Sequence, residues 1–289
     1  MTITAGVKTV RDMAVNVKTS TRSDENDPFD QSLQNQEDSE MKRLSGKVVL
    51  IVGGTRGLGR TIAETAEDEG AGVTVVGRDI RDAVHILGAR PRMQSFARDA
   101  TDEDTARSTI GATAPDIVVV CAGAVPPTGP IQKLSWTAFS ANWETDVKAS
   151  FLFCKEALRR PLRPGSTIIL ISSAAAIGGS PIAGGYAGAK RMQLLLAKYA
   201  QQESDRLGLG LTFLTLAPSC LLAETAIGAA IATAYAKYLG TAKERFLESL
   251  ADRPTAFDVA REVIKLMVGA RDVGGSLVLV SRSGAEIIQ

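Results

Sequence analysis

The chain has 289 residues, 45% of them hydrophobic, which is material for one large or two ordinary domains with a sizeable core. Its 33 Lys and Arg nearly cancel 32 Asp and Glu, so charge gives no case for nucleic acid or a membrane surface as a partner. No apolar run approaches the roughly 20 residues of a membrane span. Cys121, Cys154 and Cys220, each in an apolar segment of a chain without a secretory signal, read as reduced thiols of a cytoplasmic protein.

Residues 1–43 are expected to form an N-terminal extension. The stretch from Asp24 to Glu40 is too acidic and polar to bury much surface. The first 22 residues are basic and rich in Thr, so a transit peptide stays open beside an ordinary extension, as does packing on a subunit partner. From residue 44 to 289 strands and helices alternate without an internal repeat or linker, and this stretch is taken as one domain. Strands are expected near 47–52, 73–76, 92–96, 116–121, 166–172, 211–216 and 276–280. Helices are expected near 57–69, 79–87, 102–111, 135–159, 184–206, 223–249 and 256–269. Such alternation specifies an α/β fold, a single doubly wound (Rossmann-type) parallel sheet with helices on both faces. Ligands of such sheets bind outside the carboxyl ends of the strands.

Two local motifs point to that edge. The run Lys47 to Val52 leads into Gly53-Gly54-Thr55-Arg56-Gly57-Leu58-Gly59 and then a helical segment closed by Gly70. Strand, glycine turn and helix are the context of a dinucleotide fingerprint: glycines let the backbone approach a pyrophosphate, which the helix N-terminus attracts. The plainer alternative is a tight turn that binds nothing. Further on, Tyr186-Ala-Gly-Ala-Lys190 puts a phenol and an ammonium on one helix face, with Ser173 thirteen residues earlier. An ammonium that close favours the phenolate, and a neighbouring hydroxyl can fix a substrate oxygen. The plainer alternative is an aromatic ring packed under a lysine stem. His85 is the only histidine and falls on an expected surface helix, so neither a zinc site nor a Ser-His-Asp hydrolase is expected, and no metal.

In combination, Gly53-x-x-x-Gly57-x-Gly59, Ser173 and Tyr186-x-x-x-Lys190 resemble the short-chain dehydrogenase/reductase family. Asp99-Ala100-Thr101 resembles the acidic turn that this family places at the adenine, Cys121-Ala122-Gly123-Ala124 sits where its Asn-Asn-Ala-Gly strand end falls, and Pro218 follows the strand after the helix that carries Tyr186 and Lys190. The resemblance covers about residues 45 to 289. It implies a catalytic set of Ser173, Tyr186, Lys190 and Asp146. It also implies cofactor contacts from Gly53, Thr55, Arg56, Gly57, Leu58, Gly59, Arg78, Asp99, Ala100, Ala122, Gly123, Tyr186, Lys190 and Pro218. The implied chemistry is hydride transfer between a nicotinamide and a small-molecule carbonyl or alcohol, with Tyr186 as general acid/base.

Departures from the family pattern carry information. Val52 replaces a Thr, Val120-Cys121 replaces the two Asn, and Ser219 adds a side chain near the expected nicotinamide position. Asp146 stands where the family's Asn holds a water beside the lysine, while Asn142 comes four residues earlier. An ionised Asp accepts hydrogen bonds but cannot donate them, and it favours the ammonium of Lys190, so an altered pH profile is expected.

The second strand ends Val75-Val76-Gly77-Arg78-Asp79, with Gly77 where a carboxylate would select NAD. Arg78, with Arg56 in the turn, suits a 2′-phosphate, so NADP(H) is expected over NAD(H); surface pairing of Arg78 with Asp79 or Asp82 is the alternative. Residues 221–235 fall at the family's substrate lid, and their small aliphatic side chains fit an apolar pocket or a subunit contact. Arg159, Arg160 and Arg163 fit an acyl-carrier protein or a solvated loop, and Trp136 and Trp143 lie in the region that pairs subunits in this family, so a homodimer or homotetramer is expected. A 3-oxoacyl-thioester reductase and a nucleotide-binding sensor without turnover remain as alternatives.

Overall fold

The computed structural model describes residues 8–9, 42–79, 90–250 and 253–288. The expected helix near 79–87 and His85 lie outside them, as does nearly all of the N-terminal extension. Strands β1 (Lys8–Thr9), β2 (Val48–Val52), β3 (Gly72–Gly77), β4 (Met93–Ala97), β5 (Ile117–Val120), β6 (Thr167–Ile171), β7 (Thr212–Pro218), β8 (Leu277–Ser281) and β9 (Gly284–Ile288) form one sheet. Its order is β1-β9-β8-β7-β6-β5-β2-β3-β4. Every pairing from β4 across to β8 is parallel; β9 turns back antiparallel on β8, and β1 pairs antiparallel with β9. From β2 the chain first builds outward through β3 and β4, then returns to place β5 on the other side. The carboxyl ends of β2 and β5 therefore flank the switch point at which such sheets hold ligands.

Helices α1 (Gly57–Asp68), α2 (Glu103–Thr113), α3 (Trp136–Ser140), α4 (Lys148–Arg159), α5 (Ala175–Gly178), α6 (Gly184–Leu207), α7 (Ala226–Leu239), α8 (Lys243–Glu248) and α9 (Ala256–Gly269) accompany the sheet. Strand β2 shows why its sequence is continuously apolar. Val49 and Ile51 pack with Ile62 and Ala66 of α1 and with Val259 and Val263 of α9. Leu50 and Val52 face the opposite cluster, with Ile110 of α2, Phe153 of α4 and Ala197 of α6. Burying each such side chain contributes about 1.5–3 kcal/mol, so both faces select aliphatic residues.

Two expected helices are interrupted. The one expected over 135–159 splits into α3, a π-helical turn at Trp143–Val147, and α4. The Asn142 carbonyl accepts from both Asp146 N (2.9 Å) and Val147 N (3.3 Å), and the inserted residue turns Asp146 inward to full burial. The one expected over 223–249 starts only after Thr225, whose hydroxyl accepts from Gly228 N at 3.1 Å. It ends at Gly240, which takes φ 66° in the left-handed region, before α8 begins. Among the described residues no helix is long and apolar enough to cross a membrane.

Candidate active site

A cavity of about 730 Å³ lies along the carboxyl ends of the strands. At one part of it the glycine turn forms a cradle. Gly53 has φ 83° and donates to Val76 O at 2.7 Å. A Cβ on Gly59 would stand 2.2 Å from Gly53 O, so only glycine lets α1 start directly on the turn. No side chain caps the N-terminus of α1, leaving its first N–H groups available to an anion. Thr55, Arg56, Gly57 and Leu58 line the cavity beside these glycines.

Arg78, Asp99 and Ala100 line the adjoining wall, at the ends of β3 and β4. Among the described residues no ion pair of Arg56 or Arg78 is seen, and Asp82, a partner considered for Arg78, lies outside them. The Thr101 N–H and hydroxyl, at 2.9 and 2.8 Å, hold the Asp99 carboxylate below its usual range, with Arg78 and Lys148 adding to this. Arg98 lines the same wall; its guanidinium lies 5.8 Å from the Phe96 ring centroid and donates to Ser108 Oγ at 2.9 Å. The sequence reading missed Arg98, although it directly precedes the recognised acidic turn.

Ala122, Gly123, Ser173, Tyr186, Lys190 and Pro218 line the cavity as well. Helix α6 can bring Tyr186 there because Gly185 is small: a Cβ at that position would stand 1.8 Å from Phe139 O of α3. Lys190 Nζ lies 5.5 Å from the Tyr186 ring centroid and donates to Ile171 O at 3.1 Å. Ser173 Oγ accepts from Ala175 N at 3.2 Å, which leaves its own proton free to donate. Burial pulls the Lys190 pKa down, but the Asp146 carboxylate and the Tyr186 side chain outweigh it, and the net direction is up. Cys121 also lines the cavity, yet burial pushes its thiol up to about 12, which leaves it inert.

Asp146 stands apart from the other site residues, fully buried behind Lys190 and without surface on the cavity. Its Oδ1 accepts from Ala124 N (3.0 Å), Asn142 Nδ2 (3.2 Å) and Thr145 Oγ1 (2.8 Å). Its Oδ2 is 3.1 Å from Lys190 Nζ, an ion pair lying off the axis of an aligned hydrogen bond. A Cβ on Gly123 would come within 2.9 Å of Oδ2, so this glycine makes room for the carboxylate. Asn142 Nδ2 also donates to Ala124 O at 3.0 Å, which makes it a second buried polar side chain behind the cavity. Its spacing of four residues from Asp146 was the available signal.

Segment 221–235 does line the cavity, through Leu221, Thr225, Ile227, Ile231 and Tyr235. The Tyr235 ring stacks on Phe246 of α8, centroids 5.5 Å apart, and its hydroxyl lies 2.8 Å from Ser180 Oγ. Pro218 and Cys220 line the cavity with Ser219 between them, its N–H donating to Val280 O at 2.7 Å. Arg159 and Arg163 are engaged by Glu156 and Asp116, at 3.0 and 2.8 Å, outside this cavity.

A family model described as short chain dehydrogenase matches residues 47–238. Zerumbone synthase of Zingiber zerumbet is 33% identical over 183 residues, covering 58% of this chain and 66% of that protein. A 3beta-hydroxysteroid dehydrogenase of Mediterraneibacter gnavus is 25% identical over 159 residues, covering 52% of this chain and 58% of that one. The chain thus spans less than two thirds of the length of these curated relatives. A short chain dehydrogenase from Mycobacterium avium, solved by crystallography, shares the fold with a TM-score of 0.67 at 23% identity over 85% of this chain and 86% of that one. The family model matches more than half of the chain, and the sheet order and the glycine turn agree with it: the protein belongs to the short chain dehydrogenase family.

Proposed function

We propose that the protein is an NADP(H)-dependent oxidoreductase acting on a carbonyl or secondary alcohol of a small apolar molecule, with residues 44–289 as its catalytic domain. The observation that carries this reading is that Ser173, Tyr186 and Lys190 share one cavity with the glycine cradle, 730 Å³ in all. The residues present fit the cofactor: the glycines at 53 and 59 allow the tight turn that opens α1 on the cavity, α1 is uncapped, and Arg56 and Arg78, which form no ion pair among the described residues, would grip a 2′-phosphate. When bound, the cofactor supplies or accepts the hydride.

The side chains then divide the remaining work. In the direction of reduction, Ser173 donates its free proton in a hydrogen bond to the substrate oxygen. Tyr186 gives that oxygen its proton as general acid, and takes it back in the direction of oxidation. Lys190, held as an ammonium by Asp146, keeps positive charge near the Tyr186 ring as proton and charge move. Asp146 acts through Lys190, as a positioning residue. The aliphatic lid excludes water and favours an apolar substrate, in keeping with a relative named as a steroid dehydrogenase. Exposed Trp136 and Phe151, at 76% and 47%, supply an apolar surface for a homo-oligomer.

Tyr186→Phe is the direct test. NADPH binding should persist while turnover of ring ketones, followed by NADPH absorbance, falls by about 10²–10⁴-fold. Unchanged turnover would remove Tyr186 from the mechanism. Binding of NADPH without turnover of any carbonyl by the wild type would favour a sensor.

A further inference from the structure

The lid gives the cavity a wall of Leu221, Ile227, Ile231, Phe246 and Leu250. A polar pair adjoins these side chains. Ser180 Oγ and Tyr235 OH, both lining the cavity, lie 2.8 Å apart, and either can be the donor. Ser180 Oγ also accepts from Ala183 N at 3.1 Å. The two hydroxyls own two protons, and their mutual hydrogen bond uses one. If Tyr235 donates, the Ser180 proton is left over; if Ser180 donates, the Tyr235 proton is. In either arrangement one O–H donor has no acceptor among the described residues.

We infer that the Ser180–Tyr235 pair is a substrate-recognition point, and that the substrate carries a second oxygen acceptor on an otherwise apolar frame, apart from the oxygen that reacts at Tyr186. The acceptor is a carbonyl, ether or hydroxyl oxygen, and the spare hydroxyl proton of the pair bonds it. This rests on the oxidoreductase reading above and deepens it. A donor set in an apolar wall discriminates against an analogue that lacks the matching acceptor, because the donor then goes unpaired. The position also suits recognition. Ser180 lies in the loop between Ser173 and Tyr186, and Tyr235 lies on α7, so a substrate bridging the two elements engages both the catalytic segment and the lid. The Tyr235–Phe246 stack, with 6° between ring planes, holds the phenol in place.

The test uses full-length protein with bound NADP⁺, a complex in which a ketone can bind but not be reduced. Calorimetric dissociation constants are compared within two pairs: cyclohexane-1,4-dione against cyclohexanone, and decalin-2,6-dione against 2-decalone. Wild type should bind at least one dione about three- to tenfold more tightly than its parent ketone, the range of one net hydrogen bond. The double variant Ser180→Ala/Tyr235→Phe, which keeps the ring stack, should bring that ratio to about one, with each single variant in between. Equal affinity within both pairs in wild type, or an undiminished ratio in the double variant, overturns the inference. A Tyr186→Phe variant that still turns over ketones at the wild-type rate overturns instead the reading on which it rests, and the binding ratios do not depend on it.

Discussion

Replacing Asp146 by Asn probes the ion pair behind the proposed reaction centre. The carboxylate and the Lys190 ammonium are 3.1 Å apart with both side chains buried. Two unit charges at that separation attract by about 5 kcal/mol at an effective dielectric constant of about 20. Burial of Lys190 opposes this attraction, and the attraction prevails, since the lysine's pKa moves up. In the Asn variant, the three donors on Oδ1 fix the amide oxygen there, so the amide NH₂ must replace Oδ2 and face Nζ. Attraction disappears while desolvation stays, and the lysine's pKa falls. The sign for stability follows. A raised lysine stabilises the wild-type fold fully below its unfolded pKa, and this is lost as pH rises through the folded value. A depressed lysine reverses that, so the variant should be least stable relative to wild type at neutral pH, with the gap narrowing in alkali. Breaking a buried pair costs about 3–5 kcal/mol, on the order of 10 °C in Tm for a chain of this size. The alkaline limb of kcat/KM for ketone reduction should move down by at least about one pH unit. Superimposable alkaline limbs, with equal Tm values at pH 7, would refute the role given to Asp146.

Arg78→Ala and Arg56→Ala should each weaken NADPH binding by about tenfold in a fluorescence titration and leave NADH binding nearly unchanged; equal losses for both cofactors would remove the arginines from a 2′-phosphate site. Gly185→Ala places a Cβ 1.8 Å from Phe139 O, so α6 must shift with Tyr186 on it. The overpacking should cost about 1–3 kcal/mol in denaturant unfolding, with a disproportionate fall in kcat, and wild-type kinetics would contradict the packing argument. Burial pushes Cys121 and Cys154 up to about 12, whereas at Cys220 the Leu221 N–H and Arg253 oppose the upward push of burial, so iodoacetamide at pH 8 should modify native protein first at Cys220. Peptide mapping that finds Cys121 alkylated first would contradict this.

What the sequence disclosed depended on how local each cause was. Strands β2, β5 and β6 were legible because burial on both faces writes a nearly unbroken aliphatic run, as in Ile117–Val120. Strand β9 was missed: Gly284–Ile288 has a single buried residue, Ile287, and leaves little periodic signal. The glycine turn and the Tyr186–Lys190 pair are local motifs, so their positions on the cavity could be read in advance. Ser180 and Tyr235 are 55 residues apart and meet only through tertiary packing, which no local pattern encodes. The π turn was hidden for another reason, since its cause is one carbonyl of Asn142 accepting from two successive N–H groups.

That turn connects departures from the family pattern that look independent in the sequence. The strand end Val120-Cys121 lacks the two Asn amides that, by the family resemblance, help tie the central strands together. Here Asn142 supplies an amide from the helix side, donating to Ala124 O beyond the strand and to Asp146 Oδ1. Asn142 and Asp146 are both buried at the π turn, and the absence of a side chain on Gly123 gives the carboxylate its space. A site decaying without selection for chemistry would be expected to leave a buried carboxylate unpaired, at a cost of several kcal/mol. Asp146 instead receives three hydrogen bonds and an ammonium. The substitution of Asp for Asn is thus accompanied by the amide, the turn and the glycine that accommodate its charge. This matching favours a rewired proton-transfer centre over a relic, and it makes Asn142→Leu the informative companion to Asp146→Asn. Without its amide, Asp146 Oδ1 and Ala124 O each lose a donor, and the strand-end loop should loosen in hydrogen exchange at Ala124 even though Lys190 keeps its partner.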